Sequence, residues 1–305
     1  MIENRLYSKI EQAVIGNDVV YVKQQLPFRS DISIDLMRRH LAAEVEVIAR
    51  LSGSGLLGGR LGLIEVVDYD IEGTRIVTKK IEGDSIEAAL ASGRWRRNPR
   101  EFTRVFYLAG RWLKKFQMLP TSGIDFVAWP GSPSDLIEYC GIRLEILKSL
   151  GSEWARRFRS RILDWLELQV RRTPSEWTKS VLCHHDYAPF NIVWDGRTLT
   201  PIDFASCGLG SPLADLTYLI HRLQMMSIES PWKKWDVALW RRACLRGFGA
   251  RNIERSPIFR ALTVQHCLSR LKKYHERKPV GLIASIHNRW CCFSVKRTIH
   301  ALVAQ

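Results

Sequence analysis

"LCHHDYAPFNIVWDG", residues 182 to 196, sets two histidines, an aspartate and an asparagine between apolar residues. The apolar runs "NIVW" and "LTPIDF" that follow are joined by the turn signal "DGR" at 195 to 197. The polar run therefore reads as a loop feeding a small hairpin. Loops held by a rigid scaffold are favoured places for chemistry. By spacing, His184, Asp186 and Asn191 form HxDxxxxN, and Asp203 follows in "IDF" at the end of the second hairpin strand. At this chain's composition, random placement would produce HxDxxxxN only about 0.007 times per chain, so the grouping asks for a chemical reason.

Phosphoryl transfer supplies one. A carboxylate beside an acceptor hydroxyl can orient it and take its proton. An amide oxygen five residues on and a second carboxylate across the hairpin are the hard oxygen ligands that Mg2+ prefers beside nucleotide phosphates. Protein kinases carry an HRDxxxxN loop followed by DFG, and this chain reads "HHDYAPFN" followed by "DFA". The competing reading makes Asp186 an Asx-turn residue and Asn191 and Asp203 hairpin caps. The joint spacing favours Asp186 as the base and Asn191 and Asp203 as metal ligands.

Outward from this loop, the two ends of the chain differ. The first eighty or so residues read as strands ("VVYVKQQL", 19 to 26; "GLIEVVDYD", 62 to 70; "RIVTKKI", 75 to 81) with a hairpin turn at "IGND". One strong helix interrupts them, "DISIDLMRRHLAAEVEVIARL", opening on Asp31 or Asp35 as a cap and ending at "SGSG". Beyond it, helices are expected at 85 to 92, 100 to 118, 134 to 150 and 153 to 172, and four more after 212. Only the stretch from Val181 to Phe204 breaks this pattern. The expected fold class is α+β in two parts, a small mostly β lobe over 1–82 and a large mostly helical lobe over 83–305.

From "LCHHDYAPFNIVWDG" through "IDFASCGLGSPLADLTYLI", the elements HxDxxxxN, IDF, GxP and DL stand in the order found in the aminoglycoside phosphotransferase family and its choline-kinase-like relatives. The chain resembles that family. The resemblance implies a protein-kinase-like two-lobed fold, ATP and Mg2+ as cofactors, and transfer of the γ-phosphate to a hydroxyl of a small molecule. It makes Lys23 the phosphate-binding lysine and Glu44 its helix partner, with Glu46 as rival. It also gives His184 the part of bracing the catalytic loop, while Asp215, opening a helix after "GSPLA", reads as a structural cap. Three departures stand out: His185 occupies a position where small-molecule kinases usually have glycine; Gln117 replaces a usual histidine; and only Gly16 precedes Lys23, so no glycine-rich phosphate loop is evident. Eleven residues separate Asp203 from Asp215 and no APE follows, which leaves no activation segment for a peptide and favours a small acceptor.

Composition bounds the rest. The chain has 305 residues, 46% of them hydrophobic, and a net charge of +15 with arginine clusters at 94–100 and 156–161. Such charge suits an acidic partner, and nucleic acid ranks last because no recognition motif accompanies it. The 156–161 cluster reads as the solvated face of an amphipathic helix. Excess positive charge also disfavours a polycationic acceptor; a sugar-like or anionic one fits the aromatic and cationic residues Trp232, Trp235, Trp240, Arg241 and Trp290, which read equally well as core tryptophans beside surface cations. Seven cysteines without CxxC spacing read as reduced core thiols. No apolar run reaches the about 18 residues that cross a bilayer and the N-terminus lacks a signal core, so a cytoplasmic protein is expected, with peripheral membrane contact left open. The alternative to an active kinase is a catalytically silent scaffold of the same fold.

Overall fold

A computed structural model describes residues 2–4, 8–25, 33–127, 133–233, 235–250 and 252–304. The chain begins as an antiparallel sheet of β1 (Ile2–Asn4), β2 (Ser8–Ile15), β3 (Asp18–Gln25), β4 (Val66–Asp70) and β5 (Arg75–Lys79), in the order β1-β2-β3-β5-β4. β2 and β3 meet at the "IGND" turn, where Ile15 pairs with Asp18 and Gly16 takes φ 60°, a left-handed value open to glycine without strain. β3 lies in the middle of the sheet, with Lys23 opposite Ile10 on one side and Ile76 on the other.

Between β3 and β4 runs α1, Ile34–Gly53. Its cap is Ser33, whose Oγ accepts the Leu36 amide at 3.1 Å. Asp31 lies outside the described residues, and Asp35 sits in the first turn, where a negative charge suits the helix N-terminus. Met37, Leu41, Val47, Ile48 and Leu51 form the buried face of α1. The strand expected from residue 62 starts only at Val66. Gly62 instead donates its N–H to the Leu199 carbonyl at 2.8 Å, and a Cβ on it would strike Thr200.

β6 (Asp84–Ser85), α2 (Ile86–Ala91), α3 (Arg94–Arg97) and α4 (Pro99–Phe116) follow, with Asn98 capping α4 and Pro99 at its first position. Then come α5 (Pro133–Ser149), α6 (Glu153–Arg171), β7 (Val181–Cys183), β8 (Ile192–Trp194), β9 (Leu199–Pro201) and β10 (Gly208–Gly210). These strands form small sheets ordered β6-β8-β9 and β10-β7. The four expected late helices are α7 (Ala214–Glu229), α8 (Val237–Phe248), α9 (Pro257–Glu276) and α10 (Leu282–Val303). The class is α+β, with a small antiparallel sheet and a larger helical remainder.

The chain forms two compact units. One comprises Met1–Trp129, Val181–Leu209 and Arg242–Gly249; the other comprises Pro130–Ser180, Gly210–Arg241 and Ala250–Gln305. Trp112, Phe116, Tyr187, Trp194 and Phe204 are buried in the first unit; Leu144, Trp165, Leu219 and Leu268 are buried in the second. On α6, Ile162, Trp165 and Leu166 turn inward while Arg156 and Arg159 pair with Glu153 and Glu145, so this arginine cluster is an amphipathic helix face. All seven cysteines are free thiols and six are buried; burial pushes Cys244 and Cys267 up to about 12. Among the described residues, no helix is long and apolar enough to cross a membrane.

Candidate active site

Asp195 closes the β8–β9 hairpin by accepting the amides of Arg197 and Thr198 at 2.6 Å. The ladder runs Ile192 to Pro201, Val193 to Thr200 and Trp194 to Leu199. One step beyond it, the Ile202 amide donates to the Asn191 carbonyl at 2.9 Å, which sets Asn191 beside the start of the Asp203 turn. His184 closes the same arrangement from the other side: its Nε2 bonds the Ile202 carbonyl at 3.1 Å. The polar loop and the second hairpin strand are thus tied at two points.

Within the loop, Asn191 Nδ2 donates to the Asp186 carbonyl at 3.0 Å and to Asp186 Oδ2 at 2.8 Å. A carbonyl oxygen only accepts, so the amide nitrogen must face Asp186 and Oδ1 remains an acceptor. Asn191 is buried, so a residue unable to donate there would lose both of its hydrogen bonds to Asp186.

Lys23, from the middle of the five-stranded sheet, reaches Asp203 Oδ1 at 2.5 Å and lies 4.0 Å from Glu44 Oε1. Glu44 points inward from α1 and is buried, whereas Glu46 pairs with Arg50 at the surface at 2.6 Å. Burial pushes the Glu44 carboxyl up from its ordinary value; the Lys23 charge opposes this, the Asp203 charge adds to it, and a backbone hydrogen bond to Phe204 favours the carboxylate. Two residues at the site hold left-handed backbone: His185 at φ 61° and Asp203 at φ 65°. Glycine would take either without strain, and the histidine at 185 takes it at a cost.

An aromatic platform lies behind the loop. Trp112 of α4 stacks on Phe116 at 4.9 Å and on Tyr187 at 5.7 Å, and the His184 and Phe204 rings lie 4.9 Å apart. Tyr187 OH donates to the Ala109 carbonyl of α4 at 2.9 Å. Enclosure in this platform pushes His184 down to about 4, so it is neutral at ordinary pH, and desolvation pushes His185 to the same value. Sequence reasoning did not assign Trp112, Phe116 or Tyr187 to the site. The signal was there in the i, i+4 aromatic pair on α4 and the tyrosine beside Asp186.

Lys23, Glu44, Asp186, Asn191 and Asp203 all belong to the first compact unit. Asp215 belongs to the second, buried in the first turn of α7; the helix cap there is Leu213, so Asp215 is not the capping residue itself.

Residues 35–257 match the model of the APH phosphotransferase enzyme family. The chain belongs to that family. Solved structures agree in fold at low identity. An amicoumacin kinase, hAmiN, in complex with AMP-PNP, Ca2+ and its ligand aligns with a TM-score of 0.62 at 12% identity, over 97% of this chain and 87% of that one. A putative aminoglycoside phosphotransferase from Ralstonia eutropha gives 0.62 at 14%, over 100% and 92%. A choline/ethanolamine kinase family protein from Mesorhizobium loti gives 0.59 at 16%, over 100% and 93%. No curated protein matches the sequence. This member of the APH family, a family of phosphotransferase enzymes, has the protein-kinase-like fold.

The donor set of this APH-family chain suits a hard divalent cation. Asn191 offers an amide oxygen and Asp203 a carboxylate, both preferred by Mg2+ over nitrogen or sulfur. Among the described residues no group of three or more His, Cys, Asp or Glu is arranged for a metal. A cation here would be held by these two side chains with phosphate oxygens completing its shell, the usual manner for Mg2+.

Proposed function

We propose that this chain transfers the γ-phosphate of ATP, with Mg2+, to a hydroxyl of a small molecule, within the cytoplasm. The observation that carries the reading is the Asn191–Asp186 clamp tied through Ile202 to Asp203, itself in contact with Lys23. Residues 1–82 would serve as the nucleotide-binding lobe and 83–305 would carry the catalytic loop and acceptor site.

In this reading the acceptor oxygen attacks the γ-phosphorus, the bond from that phosphorus to the bridging oxygen of ADP breaks, and the hydroxyl proton passes to Asp186. Asn191 orients the Asp186 carboxylate through its donation to Oδ2. Asn191 and Asp203 would hold Mg2+, which neutralises charge on the β and γ phosphates when bound. Lys23 would exchange its Asp203 contact for the α and β phosphates, with Glu44 keeping the ammonium in place. His184 is neutral and buried, which fits a brace and not a proton donor. Catalysis would come from positioning and charge neutralisation, since no covalent intermediate is required.

A neighbour's complex with AMP-PNP and Ca2+ supports nucleotide use by this fold. A sequence fact favours the silent-scaffold alternative: only Gly16 precedes Lys23, so no glycine-rich phosphate loop is evident. The test is incubation with ATP, Mg2+ and a panel of sugars, amino alcohols and anionic hydroxyl compounds, read as ADP formed and as acceptor mass. The proposal expects one phosphorylated acceptor per ADP. A melting temperature unmoved by saturating MgATP would favour the scaffold.

A further inference from the structure

We propose that the outer face of α10 docks the protein on an anionic lipid surface. α10 is apolar on two opposite faces. Cys291, Val295 and Ile299 are buried, on the side that packs against α9. Opposite them, Leu282, Ile283, Ile286, Trp290 and Phe293 fall within an arc of roughly 100° at helical pitch. That second face is bare: Leu282 is 75% exposed, Ile283 85%, Ile286 57% and Phe293 58%, and Val280 just before the helix is 92% exposed. Solvent-facing apolar groups in such a row mark an interaction surface. Trp290 donates its indole N–H to the Ile228 carbonyl at 3.1 Å, so its polar edge is satisfied within the protein while the ring stays partly exposed.

Charge selects the occupant. From Arg277 to Gln305 the sequence contains no aspartate or glutamate, while Arg277, Lys278, Arg289, Lys296 and Arg297 carry five positive charges. On the helical wheel Arg289 flanks the apolar arc and Arg297 lies within it, one turn beyond Phe293. A second copy seated on this face would bring Arg289 and Arg297 against their own images with no aspartate or glutamate in the segment to pair them, so self-association is disfavoured. A surface that is apolar beneath and anionic at its rim satisfies both halves of the pattern. An acidic phospholipid bilayer has that profile, and an interfacial helix with aromatic and aliphatic residues on one face and Lys or Arg beside them is how proteins lie in it. The inference is independent of the phosphotransfer chemistry.

Co-sedimentation of the full chain with vesicles tests it. The wild type is expected to bind vesicles of equal parts phosphatidylglycerol and phosphatidylcholine, to bind pure phosphatidylcholine at least about tenfold more weakly, and to lose affinity as salt rises. The double change Ile283→Glu and Ile286→Glu should lower binding to anionic vesicles by at least about tenfold with an unchanged melting temperature, since both side chains face solvent. Arg289→Glu with Arg297→Glu, which leaves every apolar side chain of the face in place, should lower it comparably. Equal binding to neutral and anionic vesicles, or none to either, would overturn the proposal. So would a wild-type dimer in solution that Ile283→Glu and Ile286→Glu converts to monomer, because α10 would then be a self-interface.

Discussion

Asn191 is fixed by two donations to Asp186, and that pair is sensitive to a change of one atom type. Asn191→Asp replaces a donor with a carboxylate oxygen 2.8 Å from Asp186 Oδ2, turning a hydrogen bond into like-charge contact. It should lower stability by about 2 kcal/mol in urea denaturation and abolish phosphate transfer. Glu44→Gln keeps shape and removes a buried charge, so the melting temperature should change little, while KM for ATP rises at least about tenfold as Lys23 loses its anchor. The buried histidines make stability depend on pH. His184 titrates at about 4 in the folded chain against an ordinary 6.5, so the unfolded chain takes up the proton first as pH falls. Its contribution is complete above about pH 7 and declines between 6.5 and about 4, by about 3 kcal/mol for this one group. Urea midpoints measured from pH 7.5 downward should fall below about 6.5, and His184→Gln, though less stable throughout, should show a shallower fall. The residues of the loop were legible in sequence because a carboxylate, an amide and a histidine cannot be explained by strand packing. The left-handed backbone at His185 was not, because the sequence there departs from the glycine that would have signalled it.

At the level of elements, the site depends on α4, whose Trp112 and Phe116 support Tyr187 and Phe204. α4 is placed by an unusually close approach to the end of α8. A Cβ on Gly110 would lie 2.0 Å from the Cys244 carbonyl oxygen, and one on Gly247 would lie 1.9 Å from the Tyr107 carbonyl oxygen. Both obstacles are backbone and cannot rotate aside. Gly110→Ala or Gly247→Ala should therefore lower the urea midpoint by about 3 kcal/mol equivalent despite the better helix propensity of alanine. A midpoint at or above wild type would show that the helices can separate freely. Long periodic helices such as α1 and α6 were legible in sequence, since burial follows a 3.6-residue period. β2 was not, because Val14 and Ile15 are exposed and its pairing partners, more than its own pattern, hold it in the sheet. The late start of β4 has the same cause: Gly62 is claimed by Leu199, a partner more than a hundred residues away that local pattern does not reveal.

For the whole molecule, family membership and fold agree, and six of the seven residues singled out from sequence fall in one compact unit, while Asp215 is in the other. The positive charge of +15 has two uses in this account, attraction of nucleotide phosphates and of an anionic surface, and both weaken with salt. The measurement that bears most directly on the central claim is single-turnover phosphate transfer by Asp186→Asn, made alongside its melting temperature with and without MgATP. The account predicts that the variant keeps the nucleotide-induced rise in melting temperature and loses transfer by at least about a hundredfold. Transfer at the wild-type rate would contradict it, because Asp186 would then be no base.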